Sequence, residues 1–302
     1  MKKVALLTER NPKDWIFKEW NNNNIKAYVI FKKVPKFLRA CRRIWIALGL
    51  PFQAIWFSRE WQKKLSKVDS IILYNMSELL PALPEYLNKL NPNAKIVVYY
   101  WNSVKCSIKP SRIKGKCEVW SFDPEDCKKY GMKFNHQYYF KSLLSGQENP
   151  VVNDIYFCGR DAGRGELLMN LYHVFHDLGL SVCYQIVNPH YIGIPDELKS
   201  PYRSYQEIRE YVSQSRCLLE ILKEGQTGAT LRLMEALFFK KKIITTNASV
   251  KEEPFYSPQN IFIIGERPNS EIADFVKSAY DDSVDKFIDM YDVGCWLENF
   301  EK

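Results

Sequence analysis

The segment from Cys217 to Asn247, CLLEILKEGQTGATLRLMEALFFKKKIITTN, constrains the fold more than any other part of the chain. Its opening apolar run, CLLEIL, has the length of a buried strand. A polar loop with two glycines follows, and then apolar residues recur at helical spacing from Leu231 to Phe238. The closing run IITTN indicates another strand. A strand, a loop, a helix and a second strand form a βαβ unit, which is typical of a parallel sheet.

The start of this helix is a candidate anion site, because its first backbone N–H groups have no partner within the helix. Thr230 is the predicted N-cap. Arg232 lies in the first turn, where its charge opposes the helix dipole, so we expect it to face a negative group in front of the loop. Glu235 is three residues further on, near the same face. The alternative is an Arg232–Glu235 pair within the helix, which contributes a few tenths of a kcal/mol.

A second loop of similar character follows the strand IYFCG and reads RDAGRGE. Its glycines at 163 and 165 allow the backbone to approach a diphosphate, and the guanidinium groups of Arg160 and Arg164 match phosphate oxygens. The loop lacks the GxGxxG spacing of dinucleotide-binding proteins, which argues against a nicotinamide cofactor. The alternative is a turn with exposed charges.

Strands alternate with helical patterns in both halves of the chain, which predicts an α/β protein. The segment Ser145–Asp154 is polar and contains a proline, as linkers commonly do. We therefore expect a first domain at 1–148 and a second at 149–302. In an alternative arrangement, the last helix of the chain returns to the first domain.

Composition narrows the classes of protein. The 302 residues carry a net charge of +8, which permits an anionic partner. Eight cysteines without a CxxC pair disfavour a zinc site and fit a reduced, cytoplasmic protein. The apolar stretch at the N-terminus is too short for a signal peptide, and no run approaches the ~18 apolar residues of a membrane span.

Residues 32–67 mix basic and aromatic side chains, including Trp45, Phe52, Trp56, Phe57 and Trp61. Such a mixture fits an amphipathic surface on an anionic bilayer, here the cytoplasmic face of the inner membrane. It equally fits two helices packed into the first domain. A nucleic-acid patch is disfavoured because no recognition motif accompanies it, so we expect no nucleic-acid partner.

The run GQTGATLRLMEALFFKKKIITTN resembles the donor-site segment of bacterial GT-B glycosyltransferases. Together with VWSFDPEDCKKYG, it is similar to enzymes of capsule, O-antigen and lipopolysaccharide biosynthesis. The resemblance implies two Rossmann-like domains facing a cleft, with Glu235 on the nucleotide ribose. One difference stands out: retaining members space two glutamates eight apart, whereas Glu224 and Glu235 are eleven apart, which leaves retention or inversion open.

The predicted site follows from these loops and this resemblance. Arg160, Arg164 and Arg232 are assigned to the donor diphosphate. Gln226, Gly228 and Thr230 assist them from the second loop. Basic side chains and helix N-termini can neutralise a leaving diphosphate, so neither a metal nor a separate cofactor is expected. The candidate bases for the acceptor hydroxyl, all in the first half, are Glu9, Asp123 and His136.

The predicted activity is transfer of a sugar, hexosyl or related, from a nucleotide-sugar to a growing surface glycan or a lipid-linked acceptor. Two alternatives share its phosphate-binding features. One is a nucleotide- or polyanion-binding protein without turnover. The other is a nucleotide-sugar epimerase of the same architecture.

Overall fold

The computed structural model describes residues 3–77, 80–144, 149–223 and 225–302. They form two compact units, Met1–His136 with Asn299–Lys302, and Gln137–Glu298. The chain thus leaves the first unit at His136, earlier than the boundary at 148/149 expected from the linker composition. The reason is that Tyr139 pairs through its backbone with Tyr291 and Val293, which belong to the second unit.

The first unit is a six-stranded parallel sheet with the strand order β2-β1-β3-β4-β5-β6. Its strands are β1 Val4–Thr8, β2 Lys26–Val29, β3 Ser70–Tyr74, β4 Lys95–Tyr100, β5 Glu118–Ser121 and β6 Lys133–Phe134. Its helices are α1 Trp15–Asn22, α2 Lys36–Ala47, α3 Arg59–Lys64, α4 Leu83–Leu90 and α5 Pro124–Tyr130. The central strands β3 and β4 are buried along nearly their whole length, as expected when helices cover both faces of a parallel sheet.

The second unit is also a six-stranded parallel sheet, with the order β12-β11-β10-β7-β8-β9. Its strands are β7 Asn153–Gly159, β8 Val182–Val187, β9 Lys199–Ser200, β10 Ser215–Glu220, β11 Lys242–Thr245 and β12 Ile261–Ile263. Its helices are α6 Gly165–Asp177, α7 Tyr205–Ser213, α8 Leu231–Phe238, α9 Ile272–Lys277 and α10 Val293–Asn299. Only the last residue of α10, Asn299, is grouped with the first unit. Counted from β7, this is the strand order of the Rossmann fold.

The predicted α/β class with two Rossmann-like units is confirmed. The βαβ unit of the sequence corresponds to β10, α8 and β11, and Thr230 caps α8 as predicted. Asp123 caps α5, and Gly131 ends it in the left-handed conformation. The run FNHQYYF, Phe134–Phe140, predicts a last strand for the first half of the chain. That prediction is wrong: only Phe134 lies in β6, because the chain then continues into the second unit.

Residues 32–67 fold onto the first unit as α2, a 3₁₀ turn at Gln53–Trp56, and α3. Trp56, Phe57 and Trp61 are buried in its hydrophobic core. The interpretation as helices packed into the domain is therefore confirmed for these three side chains. No helix in the described part of the chain combines the length and apolar character needed to cross a membrane.

Candidate functional site

At the centre of the parallel sheet in the second unit, the order in which the chain adds strands reverses. From β7 the chain adds β8 and β9 on one side, and it then returns to place β10 on the other side of β7. The loops that follow β7 and β10 therefore leave the same edge of the sheet in opposite directions. Ligands of open α/β sheets bind in the crevice that such a switch opens at the carboxyl ends of the strands.

The loop after β7 is held by a buried carboxylate, Asp161, which the sequence analysis did not single out. One of its oxygens accepts the N–H of Ala162 at 2.7 Å, and the other accepts those of His190 and Tyr191 at 2.9 and 2.8 Å. Burial alone would raise the pKa of Asp161, but the backbone donors of Tyr191, His190 and Ala162 lower it. The carboxylate of Asp161 thus holds the loop after β7 against the loop after β8.

Arg164, assigned to the diphosphate, directs its guanidinium group at the protein backbone. It donates to the carbonyls of Asp161 at 2.9 Å and Arg160 at 2.6 Å, and also to that of Ile221. Because Ile221 follows β10, Arg164 ties together the two loops at the strand switch. Three of its five N–H donors are engaged in these contacts.

Arg160 is placed differently. Its side chain is exposed beside the same loop, and within the described ranges its guanidinium group has no hydrogen bond or ion pair. Of the three arginines assigned to the diphosphate, it is the one whose guanidinium group is exposed and makes no bond to another described residue.

Two glycines shape the approach to α6. Gly163 has φ +84°, a conformation that side chains rarely adopt. Gly165, the first residue of α6, lies so close to Tyr191 that a Cβ there would be 2.2 Å from the Cβ of the tyrosine. The helix N-terminus and the Tyr191 loop are consequently in direct contact.

The loop after β10 carries the remaining predicted residues. Gln226 donates its backbone N–H to the Lys223 carbonyl at 3.0 Å. Gly228 is buried with φ +75°, and its carbonyl accepts the side-chain amide of Asn247 at 3.0 Å. Glu224 lies outside the described residues. The loop is thus anchored, through Asn247, to the segment that follows β11.

Glu220, at the last position of β10, is a buried carboxylate that the sequence analysis missed. It accepts the hydroxyl groups of Thr230 and of Thr245, the latter at 2.5 Å. Burial raises the pKa of this carboxyl, against the effect of both hydroxyl donors. A signal was present in the sequence, since a charged residue ends the otherwise apolar run CLLEIL.

Arg232 and Glu235 form an ion pair at 2.6 Å inside the unit, and Glu235 is only 2% exposed. The other oxygen of Glu235 accepts the Tyr205 hydroxyl at 2.8 Å, and that hydroxyl lies 2.7 Å from the hydroxyl of Tyr139. Arg232 also donates to the Cys158 carbonyl at the end of β7. The expected alternative, a pair within α8, is therefore present, in a buried form.

Burial and ion pairing have opposite effects on the pKa values of Glu235 and Arg232. Burial raises the pKa of the Glu235 carboxyl, although Arg232 and Tyr205 act to lower it. Burial alone would lower the pKa of the Arg232 guanidinium group, but the facing Glu235 raises it. The pair links α8 to the end of β7, beneath the two loops of the strand switch.

The three candidate bases lie in the first unit. Glu9 follows β1 and accepts the Ser77 N–H at 3.1 Å, so it bridges the loops after β1 and β3, where the strand order of this sheet also switches. Asp123 is buried and accepts two N–H groups as the cap of α5. His136 follows β6, and burial lowers its pKa.

Spacing separates these candidates. Three strand intervals lie between β1 and β5, so the strands that precede Glu9 and Asp123 are roughly 14 Å apart. This separation places the two carboxylates over different parts of the sheet. Across the ranges that the structure describes, no group of three or more His, Cys, Asp or Glu side chains could hold a metal ion.

Comparison with known proteins shows that the chain is similar in fold to several solved structures. No family model and no curated protein sequence matches the chain. Among solved structures, AviGT4, a glycosyltransferase involved in avilamycin A biosynthesis, has a TM-score of 0.63 at 11% identity, covering 100% of this chain and 96% of that one.

Two further structures are similar. The Escherichia coli trehalose-6-phosphate protein bound with UDP-2-fluoro glucose has a TM-score of 0.60 at 8% identity, covering 99% of this chain and 98% of that one. Anabaena HepE in complex with UDP has a TM-score of 0.52 at 12% identity, with coverage of 99% and 98%. The chain therefore has the two-unit α/β fold of GT-B glycosyltransferases.

Proposed function

We propose that the protein is a glycosyltransferase that binds a nucleotide-sugar donor on its second unit and transfers the sugar to an acceptor hydroxyl. The observation that carries the proposal is the pair of glycine-containing loops after β7 and β10, side by side at the strand switch and each leading into a helix. The similar structures bound with UDP or a UDP-sugar support it.

The donor diphosphate is proposed to lie against the loop after β7. Arg160 supplies an exposed cation, and the first backbone N–H groups of α6 supply further donors. Charge builds on the diphosphate as the bond from the sugar C1 to its oxygen breaks, so these donors stabilise the leaving group. Arg164 acts by bracing the loop, and Gln226, Gly228 and Thr230 shape the facing loop.

The roles of Arg232 and Glu235 in the proposal follow from their burial. A ribose contact by Glu235 would require the carboxylate to give up its bond to Tyr205 or its pair with Arg232. We therefore assign the pair to holding α8 against β7, from where it supports the donor loops.

For the acceptor side, Glu9 is the proposed base. It is half-exposed at the strand switch of the first unit, whereas the carboxylate of Asp123 is occupied as a helix cap. As the acceptor oxygen forms its bond to C1, Glu9 takes the hydroxyl proton. The proposed acceptor is a surface glycan or a lipid-linked saccharide of lipopolysaccharide, capsule or O-antigen, reached at the cytoplasmic face of the inner membrane.

The test is release of the nucleotide from UDP-, GDP-, CMP- and dTDP-sugars, with and without a lipid-linked saccharide, followed by analysis of the sugar product. We expect one nucleotide class to be turned over, with a large loss in Arg160→Ala and in Glu9→Gln. Recovery of an isomerised donor would point to an epimerase. Saturable binding without turnover under any condition would contradict enzymatic transfer.

A further inference from the structure

The positive charge of the protein is concentrated in one stretch of the first unit. Residues 20–59 contain eight Lys and Arg residues and no Asp or Glu, so the rest of the chain, with 35 residues of each sign, has no net charge. Seven of the eight basic side chains are exposed. A local excess of this size creates a strongly positive surface.

The helix α2 carries part of this charge on a distinct stripe. At 100° per residue, Lys36, Arg39 and Arg43 share one side of the helix. These three and Lys33 are exposed and, among the described residues, have no ion-pair partner. Such cations remain available to an anionic partner.

A second stripe of α2 is apolar and also exposed. Phe37, Ile44 and Leu48 share another side of the helix, roughly 130° around its axis from the basic stripe, with exposed fractions of 61–68%. Only a narrow seam of the helix packs inward, formed by Leu38, Arg42, Trp45 and Ile46. The helix therefore presents large apolar side chains to solvent beside its cations, an arrangement that marks an interaction site.

The loop that follows α2 extends the apolar stripe. Phe52 is 79% exposed, and Leu50 and Ile55 are exposed beside it. The loop is ordered by two bonds from Trp45: its indole N–H donates to the Pro51 carbonyl at 2.8 Å, and its own carbonyl accepts the Leu50 N–H. Phe52 has φ +59°, which is unfavourable for a residue with a side chain. The fold thus holds an aromatic ring outward on a folded loop.

We propose that this docking surface, Phe37, Ile44, Leu48 and Phe52 with Lys33, Lys36, Arg39 and Arg43, binds an anionic lipid bilayer. Apolar side chains enter the boundary between headgroups and acyl chains, while the cations meet the lipid phosphates. The tryptophans of residues 32–67 are not the membrane anchors. Trp56 and Trp61 are buried, and the indole of Trp45 is hydrogen-bonded to the loop after α2.

The charge pattern selects a bilayer over other partners. In a symmetric contact with a second copy, the unpaired cations of both copies would repel each other. A nucleic acid would pair with the cations but would leave the aliphatic stripe of Ile44 and Leu48 exposed to water. An anionic bilayer satisfies both stripes at once.

The experiment is flotation of the full chain with vesicles of neutral lipid alone or with 30% anionic lipid, at low and high salt and without any sugar donor. We expect binding to anionic vesicles that weakens with salt. Phe52→Gly combined with Ile44→Ser should lower binding more than tenfold, and glycine suits the left-handed backbone at 52, so the fold is kept. The control is Ile192→Ser, which removes a 99% exposed apolar side chain of the second unit.

A charge variant tests the basic stripe. Arg39→Glu with Arg43→Glu should lower binding to anionic vesicles more than tenfold, because each cation near the surface contributes about fivefold. Lys105→Glu with Lys109→Glu, two exposed lysines elsewhere in the same unit, should leave it near the wild-type level.

The proposal is overturned if the folded protein does not float with anionic vesicles at low salt, or if the docking-surface variants float as well as wild type. It is also overturned if these variants lose self-association or oligonucleotide binding while their lipid binding is unchanged. The surface rests on the first unit alone. Failed lipid binding would therefore leave donor turnover intact, and failed turnover would leave lipid binding intact.

Discussion

Thr230 caps α8 with its side-chain oxygen and donates its hydroxyl proton to Glu220, the last residue of the preceding strand. The same carboxylate accepts the hydroxyl of Thr245 on the neighbouring strand β11. One buried acid therefore joins a strand end, the start of a helix and an adjacent strand. Since these elements flank the loop after β10, the position of that loop depends on Glu220.

Replacement of Glu220 by alanine should destabilise the protein by roughly 2–4 kcal/mol, because it opens a cavity and leaves the buried hydroxyl of Thr245 and the half-buried hydroxyl of Thr230 without their acceptor. Glu220→Gln, which keeps an acceptor oxygen, should cost less than about 1.5 kcal/mol. Urea unfolding measures both. Glu210→Ala, on the exposed side of α7, is the control and should stay within about 0.5 kcal/mol. A Glu220→Ala variant as stable as this control would refute the bridging role.

The pKa of Glu220 predicts a pH dependence with a definite sign. Burial raises this pKa in the folded state, so above the unfolded pKa the folded protein binds more protons. The stabilisation is complete below the unfolded pKa and is lost as the pH rises through the folded pKa. Relative to Glu220→Gln, wild type should lose up to about 1.4 kcal/mol per pH unit in that window.

The comparison requires unfolding curves of both proteins at a series of pH values from 4 to 8. A second variant, Glu207→Gln, should show the opposite trend. Hydrogen bonds from Ser204 lower the pKa of Glu207, so its contribution is lost as the pH falls. A wild type that gains stability relative to Glu220→Gln as the pH rises would contradict the raised pKa.

The Arg232–Glu235 pair should behave as a buried unit. Arg232→Met leaves the Glu235 carboxylate buried without its partner and should cost about 3–5 kcal/mol. The double variant Arg232→Met/Glu235→Leu should cost much less than the sum of the single variants. The exposed pair Lys64–Glu60 is the control, and its removal should change stability by less than about 1 kcal/mol. Additive single effects at 232 and 235 would exclude coupling.

Gly165 should resist substitution because of its neighbour. In Gly165→Ala the new Cβ would overlap Tyr191, so the loop after β8 must shift, at about 1–3 kcal/mol. Gly159→Ala is the matched control: its Cβ would meet only the Phe157 ring, at an ordinary 3.6 Å, and should cost little. Thermal unfolding distinguishes the two. Equal melting temperatures would show that the contact with Tyr191 is easily relieved.

Local features of the site could be predicted from the sequence where short-range chemistry decides them. Thr230 before an apolar helical run, and Asp123 before Pro124 with Gly131 at the end, predict their helix termini correctly because capping acts within a few residues. The short strand β2 was missed, since its run KAYV is only half-buried and gives a weak pattern.

Side-chain direction could not be predicted in the same way. Whether Arg232 faces a ligand or the interior depends on Glu235, Tyr205 and Tyr139, of which the tyrosines lie far away in the sequence. Likewise, the aromatic pattern of residues 32–67 did not reveal that Trp61 is buried whereas Phe52 is exposed. Both outcomes depend on tertiary packing, which the local pattern does not encode.

Binding of a nucleotide-sugar to the second unit tests the central claim most directly. We would measure the melting temperature with UDP-, GDP-, CMP- and dTDP-sugars for wild type, Arg160→Ala and Arg216→Ala. Arg216 is the control because it lies at the opposite end of strand β10. A donor at a hundred times its dissociation constant adds about 2.7 kcal/mol to stability.

The account predicts a rise of several degrees with one nucleotide class, kept in Arg216→Ala and strongly reduced in Arg160→Ala. If the folded wild type shows no rise with any donor, or if Arg160→Ala retains the full rise, the proposed donor site is contradicted.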